Sequence, residues 1–197
     1  MRYFILAKMK DKKSLRKEFQ AKRDQLSDDD VHELSLDIAN NILKMDIWSQ
    51  RVFHLFLPID GKKEVRTEYI MQVLQGRDKN IVLSKSNFQT MELKHYLLTD
   101  QTVIKVNNYG IPEPDGSEFE VEPKQLDVVF IPLMAVDKNG TRIGYGKGFY
   151  DRFLSKCRLN TIKIGVSLFE PLDFVIVPDD NDIPLNQLVT PYGIHGF

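Results

Sequence analysis

Cysteine is nearly absent: Cys157 is the one thiol in 197 residues. A single thiol excludes an intramolecular disulfide and any metal site built from several cysteines. It reads as a small, semi-buried residue on a helix. Long apolar runs are missing too. Tyr3 to Ala7 is five residues long, too short for a signal h-region or a membrane span, and no segment approaches 18 apolar residues. The chain is therefore expected to be cytoplasmic and without a membrane partner. Met9 reads as an alternative start, because regular structure is expected just after it. An excess of one charge is lacking: 27 Lys and Arg against 28 Asp and Glu leave a net charge of −1, which argues against nucleic acid as a partner. The four histidines have no spacing that marks a site, and His54, inside an apolar run, reads as a hydrogen-bonded core or half-buried residue. There is no internal repeat and no low-complexity linker.

What is present supports one well-cored domain. Hydrophobic residues make up 42% of the chain and aromatics 10%, against disorder. Asp11 to Leu26 predicts a basic helix with Leu15, Phe19 and Leu26 on one side. Ser27 to Asp30 predicts a capping box opening a second helix striped with Val31, Leu34, Ile38 and Ile42. Arg51 to Leu57 predicts a strand, Glu64 to Gln75 a helix closed by Gly76, Ile81 to Leu83 a short strand, and Met91 to Leu97 a half-exposed one. Ile111 to Gly116 reads as an irregular loop. Val128 to Val136, Ile162 to Leu168 and Phe174 to Val177 predict buried strands, and Phe149 to Arg158 a helix. The alternation predicts an α/β fold: a mostly parallel sheet flanked by helices, in a single domain over residues 11–197 after an N-terminal extension over 1–10.

Behind the balanced charge lies a segregation. Lys8 to Arg23 holds eight Lys or Arg and two acids; Lys138 to Lys163 holds seven and one acid. Past Lys163 there is no Lys or Arg, while Glu170, Asp173, Asp179, Asp180 and Asp182 gather. Two basic segments and an acidic one can meet around a polyanion and its cation, although most charges in such runs simply face water.

The densest signal is Asp137-Lys-Asn-Gly-Thr-Arg-Ile-Gly-Tyr-Gly-Lys-Gly-Phe-Tyr-Asp151. It follows an apolar run and precedes an amphipathic one. Glycines let backbone approach an anion, and a helix start favours negative charge. Arg142 and Lys147 add cations, and Asp151 is a carboxylate able to hold a metal beside phosphates. Five residues separate Gly140 from Gly146, so this is no Walker A loop, and G-x-G-x-G is no dinucleotide fingerprint. A tight turn with solvated charges stays open as the alternative.

This stretch closely resembles the signature of the 5-formyltetrahydrofolate cyclo-ligase family, also called methenyltetrahydrofolate synthetases. Lys12-Lys-Ser-Leu-Arg16, Ile111-Pro-Glu-Pro114 and Pro178 to Asp182 resemble three further family elements in the right order. The resemblance implies conversion of 5-formyltetrahydrofolate to 5,10-methenyltetrahydrofolate with ATP and Mg²⁺, releasing ADP and phosphate. The formyl oxygen takes the γ-phosphoryl group, N10 attacks the activated carbon, the ring closes and phosphate leaves. It implies ATP contacts from Lys12, Lys13, Ser14, Leu15 and Arg16 and from the run Arg142, Ile143, Gly144, Tyr145, Gly146, Lys147, Gly148, Phe149 and Tyr150. Lys147, Arg142 and Tyr150 are the implied catalytic residues. Folate contacts are implied for Arg16, Leu57, Glu64, Tyr145, Gly146, Lys147, Gly148 and Phe149, and metal contacts for Asp151 and Asp182. The implied partner is a small reduced folate, with or without a polyglutamate tail, met by a monomer. Two departures stand out. Tyr145 occupies a position where the family often has Arg, and Asn186 one where many members have Asp. A folate or nucleotide binder without turnover, and an ATP-independent sugar-phosphate isomerase or CoA-transferase-like enzyme, are the competing classes; ATP dependence separates them.

Overall fold

The computed structural model describes residues 11–115 and 119–197. The Met9 start, the extension over 1–10 and Gly116 lie outside the described residues. The chain opens with two helices, α1 (Lys12–Asp24) and α2 (Asp28–Ile42). Asp11 caps α1 by accepting from Ser14 N–H at 2.9 Å. Ser27 and Asp30 form the reciprocal capping box of α2, and three acids in its first turn complement the helix dipole. Strand β1 (Val52–His54), helix α3 (Glu68–Gly76), strands β2 (Asn80–Asn87), β3 (Glu92–Leu97), β4 (Ile104–Val106), β5 (Pro112–Pro114), β6 (Val128–Pro132), β7 (Ala135–Val136) and β8 (Arg142–Ile143), helix α4 (Phe149–Leu154), and strands β9 (Ile162–Val166), β10 (Gln187–Thr190) and β11 (Gly193–Gly196) follow.

Seven strands form one sheet in the order β11-β10-β9-β6-β1-β2-β3, parallel from β10 to β2 with an antiparallel strand at each edge. The central strand β6 is apolar on both faces, as a parallel strand covered on both sides must be. Its alternation sorts the core. Val128 and Phe130 pack with Val31, Ile38, Ile42, Ile70 and Leu74 of α2 and α3, whereas Val129 and Ile131 pack with Phe153 and Leu154 of α4. Helix α1 lies elsewhere: Leu15 and Phe19 cover Met134, Ala135 and Ile143, around the β7–β8 ribbon beyond the carboxyl end of β6.

Several elements differ from their predicted forms. The run Val128 to Val136 is two strands, because Pro132 has no N–H to extend the ladder and Met134 N–H instead reaches the carbonyl of Ile143 at 2.7 Å. Phe174 to Val177 is not a strand. Its Ile176 N–H is captured by the Asp137 side chain at 2.7 Å, and Val175 and Val177 are exposed. Helix α3 begins at Glu68 because Glu64 and Thr67 are occupied elsewhere: Ile59 N–H donates to Glu64 Oε2, and Thr67 Oγ1 donates to the carbonyl of Phe56, each at 2.7 Å. The prolines of Ile111 to Pro114 flank Glu113 in a two-stranded arm, β4–β5, where the missing N–H groups are tolerated at an edge. Helix α4 stops at Leu154 as Lys156 and Cys157 tighten to three-residue bonds. No helix of the described residues is long and apolar enough to cross a membrane.

Candidate active site

A cavity of about 360 Å³ opens beyond the carboxyl ends of β1 and β6. Its walls come from Lys12 and Arg16 of α1, from Phe56 to Glu64 after β1, from Ser84 and Ser86 of β2, from the β4–β5 arm, from the glycine loop, and from Asp179 and Asp182. Asp137, fully buried, anchors that loop: its Oδ1 accepts the N–H groups of Asn139 and Thr141 at 2.9 and 2.8 Å, while its Oδ2 takes Ile176 N–H.

One end of the cavity is densely charged. Lys12 Nζ lies 2.7 Å from Asp179 Oδ2 and 2.5 Å from Asp182 Oδ2. Burial alone would lower the Lys12 pKa, but the two carboxylates raise it, and the Lys12 hydrogen bond holds Asp179 below its usual range. Arg142 is paired with Asp151 and donates to the carbonyl of Ile183, whose own N–H reaches Asp151 at 3.2 Å. Asp151 and Asp182 both line the cavity, and the residue after Asp182 donates its N–H to Asp151. Among the described residues no three acid, His or Cys side chains gather to hold a metal by themselves. Mg²⁺ ordinarily takes one or two carboxylates and keeps waters and phosphates, which fits this pair. Arg16 Nε donates to the carbonyl of Gly144 at 2.8 Å, and its guanidinium lies against Gly146. A Cβ at Gly146 would sit 3.1 Å from Arg16 Cζ on a backbone at φ +86°, so only glycine fits comfortably. Lys147 is exposed, and its ammonium has no ion pair or hydrogen bond among the described residues.

The other end mixes aromatic walls with a few buried polar groups. Tyr145 is 44% exposed, yet its hydroxyl turns inward, donating to Glu64 Oε1 at 2.6 Å and accepting from Arg23 Nη1 at 3.1 Å. Burial first, and then the nearby Glu64, raise the pKa values of Tyr145 and Tyr150, so both are neutral phenols. Tyr150 packs edge-on to His54. Phe88 meets Phe149 edge-on and stacks on Tyr109, forming an aromatic lip. In the floor, Ser84 Oγ lies 2.7 Å from His54 Nε2 and 2.9 Å from His95 Nδ1. Burial lowers both imidazoles, His95 to about 4. One hydroxyl proton cannot serve two neutral acceptors, so at least one imidazole donates to Ser84. The Cys157 thiol is pushed up to about 11 by burial, which makes it unreactive.

The structure therefore brings Lys12, Arg16, Leu57, Glu64, Arg142, Gly144, Tyr145, Gly146, Lys147, Gly148, Phe149, Tyr150, Asp151 and Asp182 to one cavity. It does not bring Lys13, Ser14, Leu15 or Ile143 there. Ser14 caps α1, Leu15 and Ile143 are core, and Lys13 faces water. Sequence reasoning passed over Asp179, Ser84, Phe88 and Arg23. The available signal for Arg23 was its place four residues beyond Phe19 on the apolar face of α1.

The sequence model of the 5-formyltetrahydrofolate cyclo-ligase family matches residues 8–191. A probable 5-formyltetrahydrofolate cyclo-ligase of Schizosaccharomyces pombe is 29% identical, over 91% of this chain and 95% of its own. The 5-formyltetrahydrofolate cyclo-ligase of Mycoplasma genitalium is 31% identical over 90% of this chain and 97% of its own. Among solved structures, the NMR structure of Aquifex aeolicus 5,10-methenyltetrahydrofolate synthetase superposes with a TM-score of 0.76 at 29% identity, covering 94% of this chain and 92% of the other.

Proposed function

This chain belongs to the 5-formyltetrahydrofolate cyclo-ligase family and is an enzyme of that class, and on that premise we propose that it closes 5-formyltetrahydrofolate to 5,10-methenyltetrahydrofolate at the cost of ATP. The reaction needs a poor leaving group, the formamide oxygen, to be converted into a good one. Transfer of the γ-phosphoryl group to that oxygen releases ADP. Attack of N10 on the formyl carbon, with loss of the N10 proton, then expels phosphate carrying the former formyl oxygen.

Such transfer asks the protein mainly for alignment and charge neutralisation. The observation that carries the reading is that Lys12, Arg16, Arg142 and Lys147 line one cavity together with Glu64 and the rings of Phe88, Phe149 and Tyr150. Lys147, without an ion pair among the described residues, is the cation best able to follow charge as it moves onto the transferring group. Arg16, laid against Gly146, fixes the loop and faces the phosphates. Asp151 and Asp182 would hold Mg²⁺, which supplies electrophilic stabilisation of the phosphate oxygens. Glu64 accepts hydrogen bonds from the pterin edge, and Leu57, Phe149 and Tyr150 wall the ring. Tyr150, a neutral phenol, can donate a hydrogen bond but cannot serve as a base.

The test is a spectrophotometric assay of methenyltetrahydrofolate formation from 5-formyltetrahydrofolate. Product is expected only with both ATP and Mg²⁺ present. Equal product without ATP would exclude this chemistry.

A further inference from the structure

Leu15 and Phe19 form the buried stripe of α1, and one more step along that face places Arg23, 3% exposed. A guanidinium there is a poor choice for stability. Its desolvation is offset only where its geometry and hydrogen bonds are good, and a fully apolar replacement of such a buried pair is often as stable. The Nε–H of Arg23 has no partner among the described residues, a defect that a methionine would not leave. Packing therefore does not account for it.

Its contacts do. Nη2 donates to the carbonyl of Leu133 at 2.6 Å, and Nη1 donates to the Tyr145 hydroxyl at 3.1 Å. The guanidinium also lies 3.7 Å from Glu64 Oε1, the same oxygen that Tyr145 reaches at 2.6 Å. Ile59 N–H holds the other oxygen of Glu64 at 2.7 Å. Both oxygens of Glu64 are thus fixed from three directions: helix α1, the glycine loop, and the loop after β1.

We infer that Arg23 is a positioning residue: acting through Tyr145, it holds the Glu64 carboxylate where a ligand bearing N–H donors meets it, and it ties that carboxylate to the phosphate-facing loop. The inference rests on the folate reading above. Arg23 does not line the cavity, so its effect passes through the two side chains it touches. A planar fork serves three oxygens at once; a lysine ammonium on a flexible stem does not. Position 145 already delivers an atom to Glu64, so an arginine placed there reaches the same carboxylate.

The experiment compares wild type with Arg23→Met, Arg23→Lys, Tyr145→Phe and the double variant Arg23→Met/Tyr145→Arg, reading melting temperature, kcat and the KM of each substrate separately. Arg23→Met is expected to melt lower than wild type, because the buried Glu64 carboxylate loses its cation, and to raise the KM for 5-formyltetrahydrofolate about tenfold, as loss of a charged hydrogen-bonding partner should, with the KM for ATP within about twofold. Arg23→Lys should recover little, whereas relocating the guanidinium to 145 should recover most of the loss. A folate KM unchanged in Arg23→Met overturns the inference. So does a parallel rise of both KM values with no recovery in the double variant. Should Arg23→Met fail to fold, Tyr145→Phe cuts the same link from a partly exposed ring, and an unchanged folate KM there also overturns it. Wild type that forms no methenyl product removes the folate reading and this inference together, a result distinct from an active enzyme indifferent to Arg23.

Discussion

At the scale of single residues, charge partners separate Lys147 from its neighbours. Lys12 and Arg142 are each engaged with aspartates, and Arg16 with a carbonyl. Lys147 has no such partner among the described residues. Removing it therefore leaves no orphaned carboxylate, and Lys147→Ala is expected to keep its melting temperature while turnover falls by about 10²-fold or more. Circular dichroism melting beside steady-state kinetics checks both halves, and wild-type turnover would remove Lys147 from the chemistry. Asp151 is different. Asp151→Asn keeps the shape but weakens the contact with Arg142 and with any metal. The Mg²⁺ concentration for half-maximal rate is expected to rise by about tenfold or more, as loss of one charged ligand implies; an unmoved Mg²⁺ titration contradicts the metal assignment.

At the scale of elements, the glycine loop was readable because its meaning is local. Positive φ and close approach demand glycine, and Gly146 and Gly148 have φ of +86° and +69°. Gly146→Ala is expected to cost about 1 kcal/mol or more in stability and to push Arg16 out of place, weakening ATP binding measured by calorimetry. Full ATP affinity in that variant would show that Arg16 does not depend on the glycine. The helices α1 and α2 were readable for the same reason, since caps and periodicity are local signals. What escaped reading depends on distant partners. Val128 to Val136 looks like one strand until Pro132 and the β7–β8 pairing divide it. Phe174 to Val177 looks like a strand until Asp137, far upstream, captures its backbone. Arg23 looks like one more surface cation until Glu64 and Tyr145, 41 and 122 positions away, are folded against it.

At the scale of the whole molecule, two buried imidazoles weaken the fold in acid. Burial depresses both His54 and His95, the latter from 6.5 to about 4. The unfolded chain therefore binds protons that the folded chain refuses between about pH 6.5 and 4. Stability is full above pH 6.5 and falls as pH drops through that window, by roughly 3 kcal/mol from His95 alone. Melting temperature against pH should show this decline, and His95→Gln should flatten it; an identical slope in the variant would assign the acid lability elsewhere.

The pairing of Lys12 with Asp179 and Asp182, and of Arg142 with Asp151, has a further consequence. Two of the cations that would greet a triphosphate, Lys12 and Arg142, already neutralise Asp182 and Asp151, the acids that would greet a metal. Entry of a nucleotide would then be an exchange of dance partners: phosphate would claim the lysine and arginine, and the deserted aspartates would require a divalent ion. Bare ATP would leave those aspartates facing its own negative charge. Calorimetric titration should accordingly find ATP and Mg²⁺ each binding weakly alone and tightly together, and equal ATP affinity in chelator would contradict the exchange.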